Sequence, residues 1–371
     1  MIPIAYTGDL SAYELFCDKF KKSLAKIIKR GYVGNRKKTS VGDAKAYMSS
    51  LADPQKALYL SAVGDRRGKW TSLPNSEIVE APKEMMDDES INALKLFLAC
   101  FDLIVEADDS YMKFLMLHAR YIMMFKCHNR TKVYETFYKV VVEDGYETNS
   151  FPRRELIRAT NTRVCPYCNR IFVECVDSKH KVVKGQLDHF YPKEKYPFLA
   201  LSKYNLVPSC SYCNGGTGKH NTDSRIKKLV NPFFMSSPHA LTFRADVPKR
   251  GFLSLKTIES AINLKLDTSL YPEMANNVEV FNLQPLYDIH RDYASEIYYK
   301  YMKMKTKAYR DFVRDMTKPS KNQSHNIVRQ MSDKDWKRIM LGIYTDSSEQ
   351  ANRPLSKFLS DLYEDFKRKG Y

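Results

Sequence analysis

Hydrophobic residues recur at steps of three and four over much of the chain, which is the spacing of one face of an α-helix. In residues 10–31, Leu15, Phe20, Leu24 and Ile27 follow this spacing, and basic residues occupy the other side. The same spacing predicts further helices over 43–64, 89–107, 109–126, 131–143, 281–318, 332–344 and 354–368. The chain is therefore predicted to be mainly helical.

Alternating apolar and polar residues, the pattern of a half-buried strand, occur in two places. Residues 171–176 and 182–188 are predicted to pair as one hairpin, and residues 241–244 and 252–256 as a second. The expected fold class is therefore mainly α with a small α+β core.

The chain has 371 residues, of which 43% are hydrophobic, and this length is typical of two or three domains. We predict a helical N-terminal domain over 1–150, a central module over 151–235, and a hairpin with further helices over 236–371. No apolar run approaches the roughly 20 residues that span a bilayer. The start, MIPIAYTGDL, lacks the pattern of a signal peptide. A cytoplasmic protein without a membrane segment is therefore expected.

The formal net charge of the chain is +17. An excess of this size favours a polyanionic partner, because lysines and arginines that neutralise phosphates release counterions. DNA is the expected partner, with RNA as the alternative. The basic side of the helix over 10–31 is predicted either to be a solvated surface or to follow a phosphate backbone.

Two Cys-x-x-Cys pairs stand about forty residues apart in the middle of the chain. Their four cysteines are Cys165, Cys168, Cys210 and Cys213. Two such pairs supply the ligands of a tetrahedral zinc ion, since each tight turn directs two sulfurs at one ion. A site closed by four sulfurs has no open position for water, so this zinc is expected to be structural. The segment between the pairs contains Asp188, His189 and Asn205.

The order Cys-x-x-Cys, Asp-His, Asn-Leu, Cys-x-x-Cys-Asn resembles the Cys-rich HNH endonucleases over about seventy residues. The matching residues are Asp188 and His189, then Asn205, then Asn214 directly after Cys213. The phrases LDHFYPK, NLVPSC and LVNPF are most similar to HNH nucleases of bacterial anti-phage systems, of the Septu and retron-associated type. The resemblance implies a ββα-metal (HNH) nuclease module with a structural zinc held by four cysteines, flanked by helical segments, that hydrolyses phosphodiester bonds of DNA.

The resemblance also implies roles for single residues. His189 is expected to be the general base, since a neutral imidazole accepts a proton near pH 7. Asp188 is expected to bind the catalytic Mg²⁺ or Mn²⁺, because carboxylate oxygens suit these ions. Asn205 matches the residue that holds the loop and orients the general base.

The sequence does not decide which residue is the second ligand of the catalytic metal. Three glycines after Cys213 lengthen the spacing that is usual in the family. The candidates are therefore Asn214, His220 and Asn221, and Asn214 is also a candidate catalytic residue. Lys219 is expected to steady the phosphate of the substrate.

An ATPase is the expected protein partner, because the resembling defence nucleases are paired with one. The chain has no Gly-x-x-x-x-Gly-Lys-Ser/Thr loop, so a separate subunit would supply the ATPase activity. Methionines such as Met85, Met86, Met112 and Met116 suit an adaptable docking surface, or they fill a helical core. The competing function is a catalytically silent, zinc-stabilised module that binds nucleic acid or protein. The Asp188-His189 pair favours catalysis.

Overall fold

In the computed structural model of the chain, the described residues are 1–64, 69–122, 132–173, 175–177, 182–183, 185–247, 254–309, 311–312 and 333–371. These residues form two compact units. Unit 1 comprises Met1–Asp9, Ile157–Asp188 and Val207–Tyr371, and unit 2 comprises Leu10–Leu156 and His189–Leu206. Helices predominate and the sheets are small and two-stranded, which confirms the predicted balance of secondary structure.

Unit 2 is built mainly from helices. They are α1 Ser11–Arg30, α2 Val41–Ser49, α3 Asp53–Ala62, α4 Asp88–Ala99, α5 Phe101–Val105, α6 Asp109–Ile122, α7 Lys132–Phe137 and a π-helix Tyr138–Tyr146. Two strands, β1 Arg36–Ser40 and β2 Ile78–Pro82, pair antiparallel. Short 3₁₀ turns lie at Lys69–Ser72, Pro197–Leu199 and Lys203–Asn205.

Helix α1 ends where its sequence predicts. Gly31 takes the left-handed conformation with φ 73°, and its N–H bonds to the carbonyl of Ile27. Phe20 and Leu24 lie on the buried face as expected, whereas Leu15 is 55% exposed. The buried face therefore runs through Phe16 rather than Leu15. The basic side of the helix faces solvent.

The methionines of unit 2 belong to its interior. Met85, Met86, Met112 and Met116 are all buried, while Met123 and Met124 lie outside the described residues. The core interpretation of these side chains is therefore correct for the four described ones. They give no apolar surface to a partner.

Unit 1 combines short helices and strands with the cysteine pairs. Its helices are α9 Ser211–Asn214, α10 Leu255–Ala261, α11 Met274–Val280, α12 Leu283–Asp288, α13 Arg291–Met304, α14 Asp333–Leu341 and α15 Ser356–Lys369. Helix α8 Arg153–Ala159 begins in the segment of unit 2 and ends in that of unit 1. The strands are β3 Val176–Asp177, β4 Val182–Val183, β5 Gln186–His189, β6 Leu206–Ser209, β7 Thr242–Asp246 and β8 Asn263–Asp267. Strands β5 and β6 form one sheet, and the unit boundary follows Asp188 and Leu206.

The second predicted hairpin is wrong in its partner strand. Strand β7 pairs with β8, whose register sets Thr242 opposite Asp267, and not with residues 252–256. Leu255 instead begins helix α10, which buries Ile258 in the core of unit 1. The tip between the two predicted strands lies outside the described residues.

Two further predicted boundaries differ. The strand over 171–176 is reduced to β3, with Phe172 forming only an isolated bridge to Val164. The long helix predicted over 281–318 is divided into α12 and α13, which are separated at Ile289 and His290. Residues 310 and 313–318 of that prediction lie outside the described residues. Within the described ranges, no helix combines the length and the apolar content that a bilayer crossing requires.

Candidate functional site

The four predicted zinc ligands meet inside unit 1. The sulfurs of Cys165, Cys168, Cys210 and Cys213 all lie within 4.8 Å of one another, and all four residues are buried. The Cys168 and Cys210 sulfurs are 3.9 Å apart. Four sulfurs at about 2.3 Å from a tetrahedral zinc ion stand about 3.8 Å from each other, so this cluster fits zinc. Burial raises the pKa of the Cys165 thiol, so these sulfurs would become thiolates only with a bound cation such as zinc.

Each cysteine pair lies on a tight turn. The N–H of Asn169 donates to the carbonyl of Cys165 at 2.7 Å, and the N–H of Asn214 donates to the carbonyl of Cys210 at 3.0 Å. Asn169 takes φ 50° and is fully buried. Its amide bonds the Gln350 carbonyl and the Lys357 N–H, both at 3.0 Å. This asparagine therefore ties the first turn to the C-terminal segments of unit 1.

Helix α12 and Phe281, which lies between α11 and α12, support the same turn. The Tyr287 hydroxyl donates to the carbonyl of Cys168. The ring of Tyr167, inside the first Cys-x-x-Cys pair, stacks on Phe281 with centroids 4.2 Å apart. These long-range contacts fix the orientation of Tyr167, whose hydroxyl donates to Asp188.

Asp188 is held by two donors in unit 1. The Tyr167 hydroxyl donates to Oδ2 of Asp188 at 2.7 Å, and Nζ of Lys219 lies 3.0 Å from Oδ1. Asp188 is 2% exposed and Lys219 is fully buried. Burial and the adjacent carboxylate raise the pKa of Tyr167 well above its usual value, so the phenol stays protonated and donates. A carboxylate offers about four lone-pair positions, so two remain for a cation after these bonds.

The glycines after Cys213 make the position of Lys219 possible. A Cβ atom on Gly218 would lie 2.4 Å from the carbonyl oxygen of Cys213 and 2.6 Å from that of Tyr212, so only glycine fits. The N–H of Lys219 then bonds the Cys213 carbonyl at 2.8 Å. The longer segment after Cys213 therefore folds back onto the turn of Cys210 and Cys213, and the Lys219 side chain points inward to Asp188. Its predicted contact with a substrate phosphate stays a prediction.

We expect Lys219→Met to destabilise the protein by about 3–5 kcal/mol, because it leaves the buried Asp188 carboxylate without its cation. Urea unfolding in buffer without added Mg²⁺ or Mn²⁺ measures this loss. The control is Lys56→Met, which removes an exposed pair with Asp53 and should cost less than about 1 kcal/mol. Equal stabilities of the two variants would show that the buried pair contributes nothing.

His189 belongs to unit 2 and is 8% exposed. Its Nε2 lies 3.1 Å from the carbonyl oxygen of Ala200. A carbonyl only accepts, so Nε2 carries the hydrogen and Nδ1 carries the basic lone pair in the neutral ring. The Tyr146 ring stands nearly perpendicular to the imidazole, with centroids 4.4 Å apart. The hydrogen bond to Ala200 and the ring contact with Tyr146 therefore favour the tautomer that a base at Nδ1 needs.

Asn205 is buried in unit 2 and holds the loop that follows His189. Its Nδ2 donates to the carbonyls of Tyr191 and Leu199, both at 3.1 Å, and its Oδ1 accepts from the Tyr191 N–H at 2.7 Å. The N–H of Phe190 bonds the Asn205 carbonyl at 2.8 Å. These bonds suit the loop-holding role that the resemblance implies for Asn205.

The three candidates for the second metal ligand lie after β6. Nδ2 of Asn214 donates to Oε1 of Gln186 at 3.1 Å, which leaves its Oδ1 outside that bond. His220 is exposed and takes φ 43°, and Asn221 is exposed as well. Among the described residues, the four cysteines are the one group of three or more Cys, His, Asp or Glu side chains close enough to share an ion. The choice among the candidates therefore stays open.

Sequence patterns missed Tyr167 and Asn169. Tyr167 occupies a variable position of the first Cys-x-x-Cys pair, and Asn169 directly follows that pair. Zinc binding requires no particular residue type at either position. A hydroxyl or amide beside a zinc turn is the only local signal. Their roles follow from contacts with distant residues.

Comparison with known proteins adds one relative. Septu protein PtuB from Bacillus thuringiensis is 32% identical to the chain over 121 residues, which are 32% of the chain and 43% of that protein. Over this stretch the chain is related to a Septu protein. The match spans less than half of the relative's length. No family model matches the chain, and no solved structure matches it.

Proposed function

We propose that the chain is a metal-dependent HNH-type endonuclease that cuts DNA and serves a bacterial anti-phage defence system. The observation that carries the proposal is the Asp188-His189 pair at the end of β5, within the loop closed by the cysteine cluster. A module that only binds has no need of a buried carboxylate held by two donors, as in Asp188, next to an imidazole whose tautomer is favoured by a hydrogen bond, as in His189. The relation to Septu protein PtuB supports the defence role.

The residues divide the work of hydrolysis as follows. His189 takes a proton from the attacking water at Nδ1, while Ala200 holds the opposite nitrogen. Asp188 and one of Asn214, His220 or Asn221 would hold Mg²⁺ or Mn²⁺, which stabilises negative charge on the leaving oxygen when bound. Asn205 keeps the loop after His189 in place.

Tyr167 and Lys219 act through Asp188 and are positioning residues. Together they orient both carboxylate oxygens and compensate their charge in the absence of a divalent ion. The four cysteines would hold a zinc ion that stabilises the turns carrying Tyr167 and Lys219, and a site closed by four sulfurs would give this ion no part in the reaction.

Incubation of the purified protein with supercoiled plasmid and Mg²⁺ or Mn²⁺ tests the proposal. We expect nicked or linear products with at least one of the ions and none in their absence. Intact plasmid under all of these conditions, also in the presence of the ATPase partner with ATP, would exclude DNA cleavage. Single-stranded DNA and RNA in the same assay define the preferred substrate.

A catalytically silent binding module is the second candidate, and one observation favours it. A buried carboxylate that pairs with a fully buried lysine and a tyrosine is also a common structural arrangement. Asp188→Asn separates the two functions, provided that zinc content and the melting temperature are retained. Metal-dependent cutting by the wild type that the variant loses supports catalysis.

We also propose that a separate ATPase subunit controls the nuclease. The proposal depends on the resemblance to defence nucleases and on the Septu relative, because the described methionines are buried and offer no docking surface. We expect the chain to co-elute with an ATPase encoded beside it when only one of the two carries a tag. If the two proteins elute separately at low salt and the ATPase with nucleotide does not alter cleavage, control by an ATPase subunit is refuted. The proposed nuclease activity is unaffected by that result.

A further inference from the structure

Unit 2 carries a basic cleft that the proposed catalytic residues do not use. The cleft has a volume of about 610 Å³ and its lining residues come from α1, the turn after it, the residue after β2, and the π-helix. Its charged lining residues are Lys26, Arg30, Lys83, Lys139 and Asp144. Four cations therefore face one carboxylate. A volume of this size falls in the range of ligand-binding clefts.

The π-helix explains how one wall of the cleft is formed. A π-helix joins residues five apart, as in the bond from the Glu147 N–H to the Val142 carbonyl at 2.8 Å. Lys139 and Asp144 are five apart and therefore lie on one side, whereas an α-helix would turn them apart by about 140°. Burial raises the pKa of the Asp144 carboxyl, although Lys139 and Arg30 favour its charged form. This carboxylate belongs to a solvent-exposed residue and lies beside the cations.

The positive charge in the cleft is only partly compensated. Lys139 also pairs with Glu143 at 2.9 Å, and Arg30 donates to the carbonyl of Tyr32. Within the ranges that the structure describes, neither Lys26 nor Lys83 forms an ion pair. The C-terminal dipole of α1 accounts for a cation such as Arg30 in its last turn. It does not account for Lys83 and Lys139, which come from other segments.

The basic residues continue from the cleft along α1. Lys19, Lys22, Lys26 and Arg30 are exposed and follow steps of three and four, so they share one side of the helix. Eleven residues of helix span about 16 Å, the length over which one strand of duplex DNA carries about five phosphates. None of the described lining residues is aromatic, so the cleft has no platform for a nucleobase among them. The lining suits a run of phosphates better than a free nucleotide.

We propose that this cleft and the adjoining side of α1 bind consecutive phosphates of a nucleic-acid backbone. The inference rests on the proposed function for its substrate class, and it adds a second contact that anchors DNA in unit 2. Such contacts position the strand and carry no sequence information.

The test measures binding separately from cleavage. Labelled duplex DNA is titrated with the His189→Ala protein, without divalent metal, at salt concentrations between about 50 and 200 mM, the range over which phosphate contacts weaken strongly. The cleft variant changes Lys26, Arg30 and Lys83 to Gln. The matched control changes Lys95, Lys256 and Lys307 to Gln, which are exposed lysines elsewhere on the chain and remove the same charge.

We expect the slope of log K against log salt to flatten by about 2–3 in the cleft variant, since each lost phosphate contact accounts for about 0.9. The control should change it by less than about 1, and both variants should melt like their parent. Equal slopes in the two variants would overturn the proposal. Calorimetry with AMP adds a further arm: cleft-dependent AMP binding with equal DNA slopes would assign the cleft to free nucleotides instead. If the wild type does not cut plasmid but the two variants still differ in slope, the proposed nuclease activity is refuted and phosphate binding by the cleft is retained.

Discussion

Cys165→Ser is expected to lose bound zinc and the cooperative unfolding of unit 1. Its sulfur is one of four within 4.8 Å, and a serine hydroxyl is a poor ligand for zinc. Structural zinc in small modules contributes apparent free energies of about 10–16 kcal/mol, which is comparable to the total stability of a domain. Zinc content by metal analysis and thermal unfolding by circular dichroism measure the two effects.

Cys100→Ser is the matched control, because Cys100 caps α4 in unit 2 and lies outside the cluster. It should keep one zinc per chain and a nearly unchanged melting temperature. Cys210→Ser should behave like Cys165→Ser, since it removes a ligand from the other pair. One full zinc equivalent and an unaltered melt in both cluster variants would refute the four-cysteine site.

The parts of the molecule that sequence predicts are those with short-range causes. A Cys-x-x-Cys turn depends on a few bonds between neighbours, so its spacing alone brings two sulfurs together. The end of α1 at Gly31 is equally local, because only glycine takes a left-handed conformation at low cost. Helix existence along unit 2 follows from periodicity in the same way.

The parts that sequence does not predict depend on distant contacts. The segment Leu253-Ser254-Leu255 reads as a strand, yet Leu255 begins α10 because Ile258 reaches the core of unit 1 and Asn263–Asp267 pairs with β7 instead. Short apolar runs fit either a strand or a helix, and tertiary packing decides between them.

The candidate site shows the same division. The Asp188-His189 pair stands out in the sequence, but the partners of Asp188 do not. Tyr167 and Lys219 lie 21 and 31 residues from it along the chain, and the two cysteine turns bring them to it. The sequence predicts Lys219 as a phosphate contact, and this stays a prediction; its burial and its contact with Asp188 are visible only in the structure.

His189→Ala is expected to reduce plasmid cleavage by about 10²–10⁴-fold, the usual loss when a general base is removed. Zinc content should be unchanged, because His189 is outside the cysteine cluster. DNA affinity should also be retained, since His189 is not among the cations proposed to bind phosphates. Single-turnover nicking with Mg²⁺ or Mn²⁺ measures the rate.

Two further variants keep this result distinct from a folding defect. His189 is buried and bonds the Ala200 carbonyl, so alanine leaves both a cavity and an unpaired acceptor. His189→Gln places an amide N–H near the position of Nε2 and has no basic nitrogen, so it should melt closer to wild type and still fail to cut. His239→Ala removes an exposed histidine of unit 1 and should cut normally. Wild-type rates in both His189 variants with the same metal would show that another group takes the proton, and the assignment of His189 would fall.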